Sequence, residues 1–73
     1  MQIKLRDLPP IYNVDKVRLY KDNHLIGETW VGSSLRMYLE ERFPHCLDEV
    51  VDSMGICTEG VVYAHQVLEI YFK

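Results

Sequence analysis

Hydrophobic and polar positions alternate at both ends of the chain and switch to a helical spacing in the middle. Met1–Leu8 places Ile3 and Leu5 on one face and Lys4 and Arg6 on the other, the period of a half-buried strand. Pro9-Pro10 should end it, because neither residue can donate to a ladder. Lys16–Lys21 alternates again, with Val17 and Leu19 opposed to Lys16, Arg18 and Tyr20. Asp22-Asn23 tolerates the positive φ of a tight turn, and His24–Val31 returns as a partner strand. Two registers fit that hairpin. A two-residue loop pairs Leu19 with Ile26 and sets Val17 opposite Glu28. A three-residue loop pairs Arg18 with Glu28, Tyr20 with Ile26 and Lys16 with Trp30, which gives Glu28 an opposite charge across the strands.

Gly32-Ser33-Ser34 then breaks the strand and offers a serine cap. Leu35, Tyr38, Leu39 and either Arg42 or Phe43 follow at helical spacing, and Pro44 should stop the helix at Phe43. Leu47, Val50, Val51 and Met54 repeat that spacing, so a second helix is expected, closed by Gly55. Val61–Phe72, rich in Val, Ile, Tyr and Phe, reads as a long final strand. Its even positions Val62, Ala64, Leu68, Ile70 and Phe72 should face the helices. Its odd positions carry Tyr63, His65, Glu69 and Tyr71. The expected fold is α+β: an antiparallel sheet of about four strands, in the chain order β-β-β-α-α-β, with a helical pair on one face. Residues 1–73 make one domain, and the other sheet face should stay open.

Composition narrows the function classes. The 48% hydrophobic content is that of a folded chain rather than a disordered one. No apolar run approaches the ~20 residues that span a bilayer, and Met1–Asp7 lacks the apolar core of a signal peptide. A cytoplasmic protein without membrane contact is expected, its two cysteines reduced. The net charge of −3 disfavours direct nucleic-acid binding, which draws its affinity from Lys and Arg.

That charge is unevenly spread. Glu40, Glu41, Asp48, Glu49 and Asp52 place five carboxylates within thirteen residues. A solvated helix face needs no partner, and acids near a helix start favour its dipole. The same ridge would also dock on a basic surface and steer its approach.

Three other constellations carry chemistry. His45, Cys46, Cys57 and His65 supply two Cys and two His, the donor set of a closed zinc site, though without a Cys-x-x-Cys knuckle. Free Cys is equally a small buried hydrophobe. Cys57 with His65 contains the elements of a thiolate–imidazolium pair but no surrounding signature, so no enzyme is expected. Tyr63 and Tyr71, with Tyr20 and Trp30, would cover the open sheet face and form a dimer or partner surface.

In size, charge and lack of catalytic motif the chain is similar to small phage-encoded inhibitors, anti-CRISPR proteins among them. That likeness, of size and charge and of no motif, implies a non-enzymatic inhibitor of a basic, nucleic-acid-handling protein; the expected contact residues, Glu40, Glu41, Asp48, Glu49 and Asp52 with Tyr63 and Tyr71, come from the ridge and the sheet aromatics themselves. A zinc-stapled structural domain and a homodimer joined through the aromatic sheet face are the alternatives.

Overall fold

The most apolar stretch of the chain, His65–Phe72 (β5), runs through the centre of a five-stranded sheet. The computed structural model describes residues 2–8, 14–31 and 35–73. The other strands are Ile3–Lys4 (β1), Lys16–Lys21 (β2), His24–Trp30 (β3) and Val50–Glu59 (β4), in the spatial order β1-β4-β5-β2-β3. The sheet is mixed: β2 runs parallel to β5, whereas every other pairing is antiparallel. Among the described residues one α-helix, Leu35–Arg42 (α1), covers one face. The α+β class therefore holds, but the expected four-stranded antiparallel sheet under two helices does not.

The second helix is the main correction. Val50–Glu59 is a strand paired with β5 from Val51 to Glu59. Leu47, Val50, Val51 and Met54 fit a helical stripe, yet Val50, Val51, Ile56 and Thr58 are β-branched and lose χ1 freedom in a helix. A long ladder to β5 satisfies their backbone in the extended form instead. Asp48 and Asp52 are consequently not neighbours on a helix.

The N-terminal strand is shorter than expected. After Lys4 the chain turns through a 3₁₀ segment, Leu5–Asp7, in which Asp7 accepts a hydrogen bond from the Lys4 backbone N–H at 3.0 Å. The turn drives Leu5 into the core while Ile3 stays exposed. The last strand is shorter too, so Val61–Tyr63 lie in the β4–β5 connection. The Pro9-Pro10 break and the Ser33-Ser34 cap fall outside the described residues.

The hairpin resolves its two registers by using parts of both. Asp22 (φ 53°) and Asn23 (φ 65°) make a two-residue turn, and a bulge at Ile26 restores the pairs Arg18–Glu28 and Lys16–Trp30.

Alternation on β2 and β5 sends Val17, Leu19, Leu68, Ile70 and Phe72 toward α1, where they meet Leu5, Leu35, Leu39 and Cys46. Phe43, just past the helix, donates its N–H to the Leu39 carbonyl at 2.8 Å, and Pro44–Cys46 then forms a 3₁₀ turn. The Phe43 ring lies against β3 at Gly27, where an added Cβ would stand 2.6 Å from Cε1. Gly27→Ala is therefore expected to cost about 1–3 kcal/mol by overpacking. Combining it with Phe43→Leu should recover part of that loss, read as non-additivity in urea melts of the four species.

Candidate functional site

The same alternation carries the charged and aromatic side chains of β2, β3, β4 and β5 to the face away from α1. Arg18 is at its centre. Its guanidinium donates to Glu28 Oε2 at 2.5 Å and grips both carboxylate oxygens of Glu59, with Nη2 to Oε1 at 2.5 Å. Lys16 Nζ lies 3.4 Å from the second oxygen of Glu28 and 4.6 Å from the centre of the Trp30 ring. Tyr20 stacks on Tyr71 with centroids 4.9 Å apart and donates its hydroxyl to Glu69 at 3.1 Å. Beneath these groups Val67 is fully buried. The face expected to be open and aromatic is thus laid over with the chain's own ion pairs.

Charge pairing sets the titration of this face. The hydrogen bonds from Arg18 are the main reason that Glu28 and Glu59 are held below their ordinary value of 4.5, and both carboxylates raise Arg18 in turn. A depressed carboxylate stabilises the fold fully above its unfolded value and loses that contribution as pH falls through the folded one. The urea midpoint, followed from about pH 6 to about pH 3, should therefore decline below the ordinary carboxylate value. Arg18→Met should flatten that decline.

His65 sits at the edge of this network. Its ring tilts against Trp30 at 4.9 Å, and its Nε2, 3.8 Å from Glu59 Oε1, has no hydrogen-bond partner among the described residues. Cys57 faces the same side, opposite Val67. Burial is the main cause that pushes its thiol above the ordinary value, with Glu69 and Glu59 adding to it. An activated thiolate needs the reverse, a lowered value beside positive charge.

The four zinc candidates are separated by the sheet. Cys46 is buried on the α1 side, where burial likewise raises its thiol, whereas Cys57 and His65 belong to the opposite face. His45 is exposed on the 3₁₀ turn. Among the described residues no three His, Cys, Asp or Glu side chains converge on a common point. A chelator is expected to leave the melting temperature unchanged, as a thermal scan with and without it will show.

The five ridge acids also divide. Asp48 accepts from Arg6 Nε at 2.7 Å, and Glu49 from Lys21 Nζ at 2.9 Å. Among the described residues Glu40, Glu41 and Asp52 enter no ion pair, and all three are exposed. Glu40 borders a small hollow with Arg6 and Arg36, whereas Asp52 lines an open cleft with Asp22, Tyr20 and Tyr71. The acids are not a single helical ridge.

Tyr63 is likewise not on the sheet. With Val61 and Val62 it forms the tip of the β4–β5 hairpin, where the three residues are 102%, 82% and 87% exposed. Gly60 (φ +101°) shapes this tip, since a Cβ there would fall 2.4 Å from the Tyr63 carbonyl oxygen. The sequence reading missed Val61 and Val62 by running them into the last strand, although Gly60 was the available signal of a turn. Among the described residues no helix is long and apolar enough to cross a membrane. No family model, curated protein or solved structure matches the chain, so its chemistry must be argued from these side chains.

Proposed function

We propose that the protein is a non-enzymatic binding module that anchors its hairpin tip on a protein partner with a basic surface, of the kind that handles nucleic acid, and blocks that surface. The observation that carries this reading is the tip itself. Val61, Val62 and Tyr63 contribute nothing to the chain's own core, and their exposure is close to that of an unfolded chain. Consecutive apolar side chains held at the end of a hairpin gain free energy only by entering another molecule's pocket, and Tyr is a recurrent anchor of such contacts. Gly60 fixes the turn before binding, which lowers the ordering cost.

Charge acts on the approach. Among the described residues Glu40, Glu41 and Asp52 enter no ion pair, so their field extends outward and favours a basic partner. Asp48 and Glu49 contribute less, because Arg6 and Lys21 already neutralise them.

The test is capture from the cell of origin with the tagged protein and with a variant carrying Val61→Ser, Val62→Ser and Tyr63→Ser. A basic protein retained by the native chain and lost from the variant supports the proposal. A partner retained equally by both, or an acidic one, refutes it.

A further inference from the structure

Glu69 is the carboxylate that the ion pairs of the sheet leave over. It is partly buried, accepts from the Tyr20 hydroxyl, and among the described residues enters no ion pair. Arg18, directly opposite on β2, gives its guanidinium to Glu28 and Glu59, while Lys16 lies against Glu28 and Trp30. On its other side Glu69 pairs with Gly55 of β4. Nothing lies within 4 Å of the Cβ position there, so the row of side chains is interrupted between Glu69 and the outer edge of β4. That edge is open. β1 covers β4 only at Val50 and Val51, and among the described residues no strand pairs with the outer side of Ser53–Glu59. Ser53–Thr58 contains no charged residue and no proline to blunt it. On the α1 face Met54 and Ile56, the neighbours of Gly55, are 41% and 56% exposed.

We infer that Ser53–Glu59 takes up an extended segment of a partner protein in which one Arg or Lys stands between two apolar residues. An added strand lies about 4.8 Å from β4 and so about 9.6 Å from β5. Across that span a long cationic side chain, laid over Gly55, meets the Glu69 carboxylate. Its two neighbours point to the other face and cover Met54 and Ile56. The order apolar–basic–apolar reads the same in both directions, so parallel and antiparallel addition satisfy it alike. A second copy of this chain does not offer that order in a free strand. Val17-Arg18-Leu19 and Ile3-Lys4-Leu5 have it, but Val17, Leu19 and Leu5 are buried in the core, and Leu35-Arg36-Met37 is helical. The inference goes beyond the role of the tip and does not depend on it, because Val61–Tyr63 lie outside the open stretch.

The test titrates the chain with the capped peptide Thr-Thr-Val-Arg-Val-Thr-Thr and with the same peptide carrying Glu in place of Arg, followed by backbone amide NMR shifts. The native chain should bind the Arg peptide about fivefold or more tightly than the Glu peptide, with shifts centred on Ser53–Glu59. Glu69→Gln should remove most of that preference. Asp22→Asn, which takes one carboxylate from the β2–β3 turn and leaves a residue that tolerates the positive φ, should keep it. Gly55→Thr fills the gap without striking a neighbour, so the melt should hold while the preference is lost. Failure to bind at millimolar peptide overturns the inference, as does equal binding of the two peptides. So do shifts centred elsewhere, or a preference that survives both Glu69→Gln and Gly55→Thr. A dimer in sedimentation equilibrium that the Arg peptide disperses also overturns it, because the edge would then belong to a second copy.

Discussion

Replacing Ile70 by Ala is expected to leave a large share of the molecules unfolded at room temperature. Ile70 has no solvent exposure and lies in the central strand, beside Leu19 of β2 and Met54 of β4. Truncating a buried Ile costs about 2–5 kcal/mol, the spread reflecting how far the surroundings collapse into the cavity. A chain of this size holds only about 3–5 kcal/mol of net stability, so the loss is comparable with the whole. Each kcal/mol lowers the melting temperature by about 4–8 °C in so small a fold, which a thermal scan will resolve readily. Tyr71→Ala, one residue along and on the other face, should be milder. It removes a stack on Tyr20 of about 0.5–1.5 kcal/mol beyond the area lost, from a side chain that is only partly buried. Urea melts of the two variants should rank them in that order, and the reverse order would place the core on the wrong side of the sheet.

The opposite behaviour is expected of the hairpin tip. Substituting Ser at Val61, Val62 and Tyr63 removes no buried contact, so stability should stay within about 0.5 kcal/mol of the native chain. Partner affinity should fall by about 30-fold or more, which corresponds to losing about 2 kcal/mol from a central anchor. Neutralising Glu40, Glu41 and Asp52 to Gln and Asn should act differently. It should slow association at low salt and converge with the native rate as salt rises, because exposed charges are screened over about 8–10 Å.

The parts of this structure that were legible in the sequence are those whose signals are local. The β2–β3 hairpin follows from alternation and from Asp22-Asn23, and the Arg18–Glu28 pair follows from charge complementarity across it. The helix Leu35–Arg42 follows from its spacing and from Pro44. Val50–Glu59 was not legible, because Leu47, Val50, Val51 and Met54 satisfy a helical period while their β-branched chemistry favours a strand. Only the ladder to β5 decides between the two. Gly55, read as a helix stop, lies in the middle of that strand. The parallel pairing of β2 with β5 leaves no trace in any local pattern, since either strand direction buries the same alternate residues.

The candidate site divides along the same line. Arg18 was visible as half of a cross-strand pair, but its grip on Glu59 joins residues far apart in the chain and depends on the strand order. Cys46 and Cys57 look like companions in sequence and are placed on opposite faces by the sheet. The tip was hidden by composition: Val61, Val62 and Tyr63 have strand-forming side chains, and only the turn that Gly60 makes separates them from β5.

The most direct test of the binding account is the dissociation rate of the captured partner from the native chain and from the Val61→Ser, Val62→Ser, Tyr63→Ser variant, measured by surface kinetics alongside thermal melts. The account predicts dissociation about 30-fold faster or more in the variant, with an unchanged association rate and an unchanged melt. An unchanged dissociation rate would contradict it, as would a lowered melting temperature, which would assign the tip to the protein's own core.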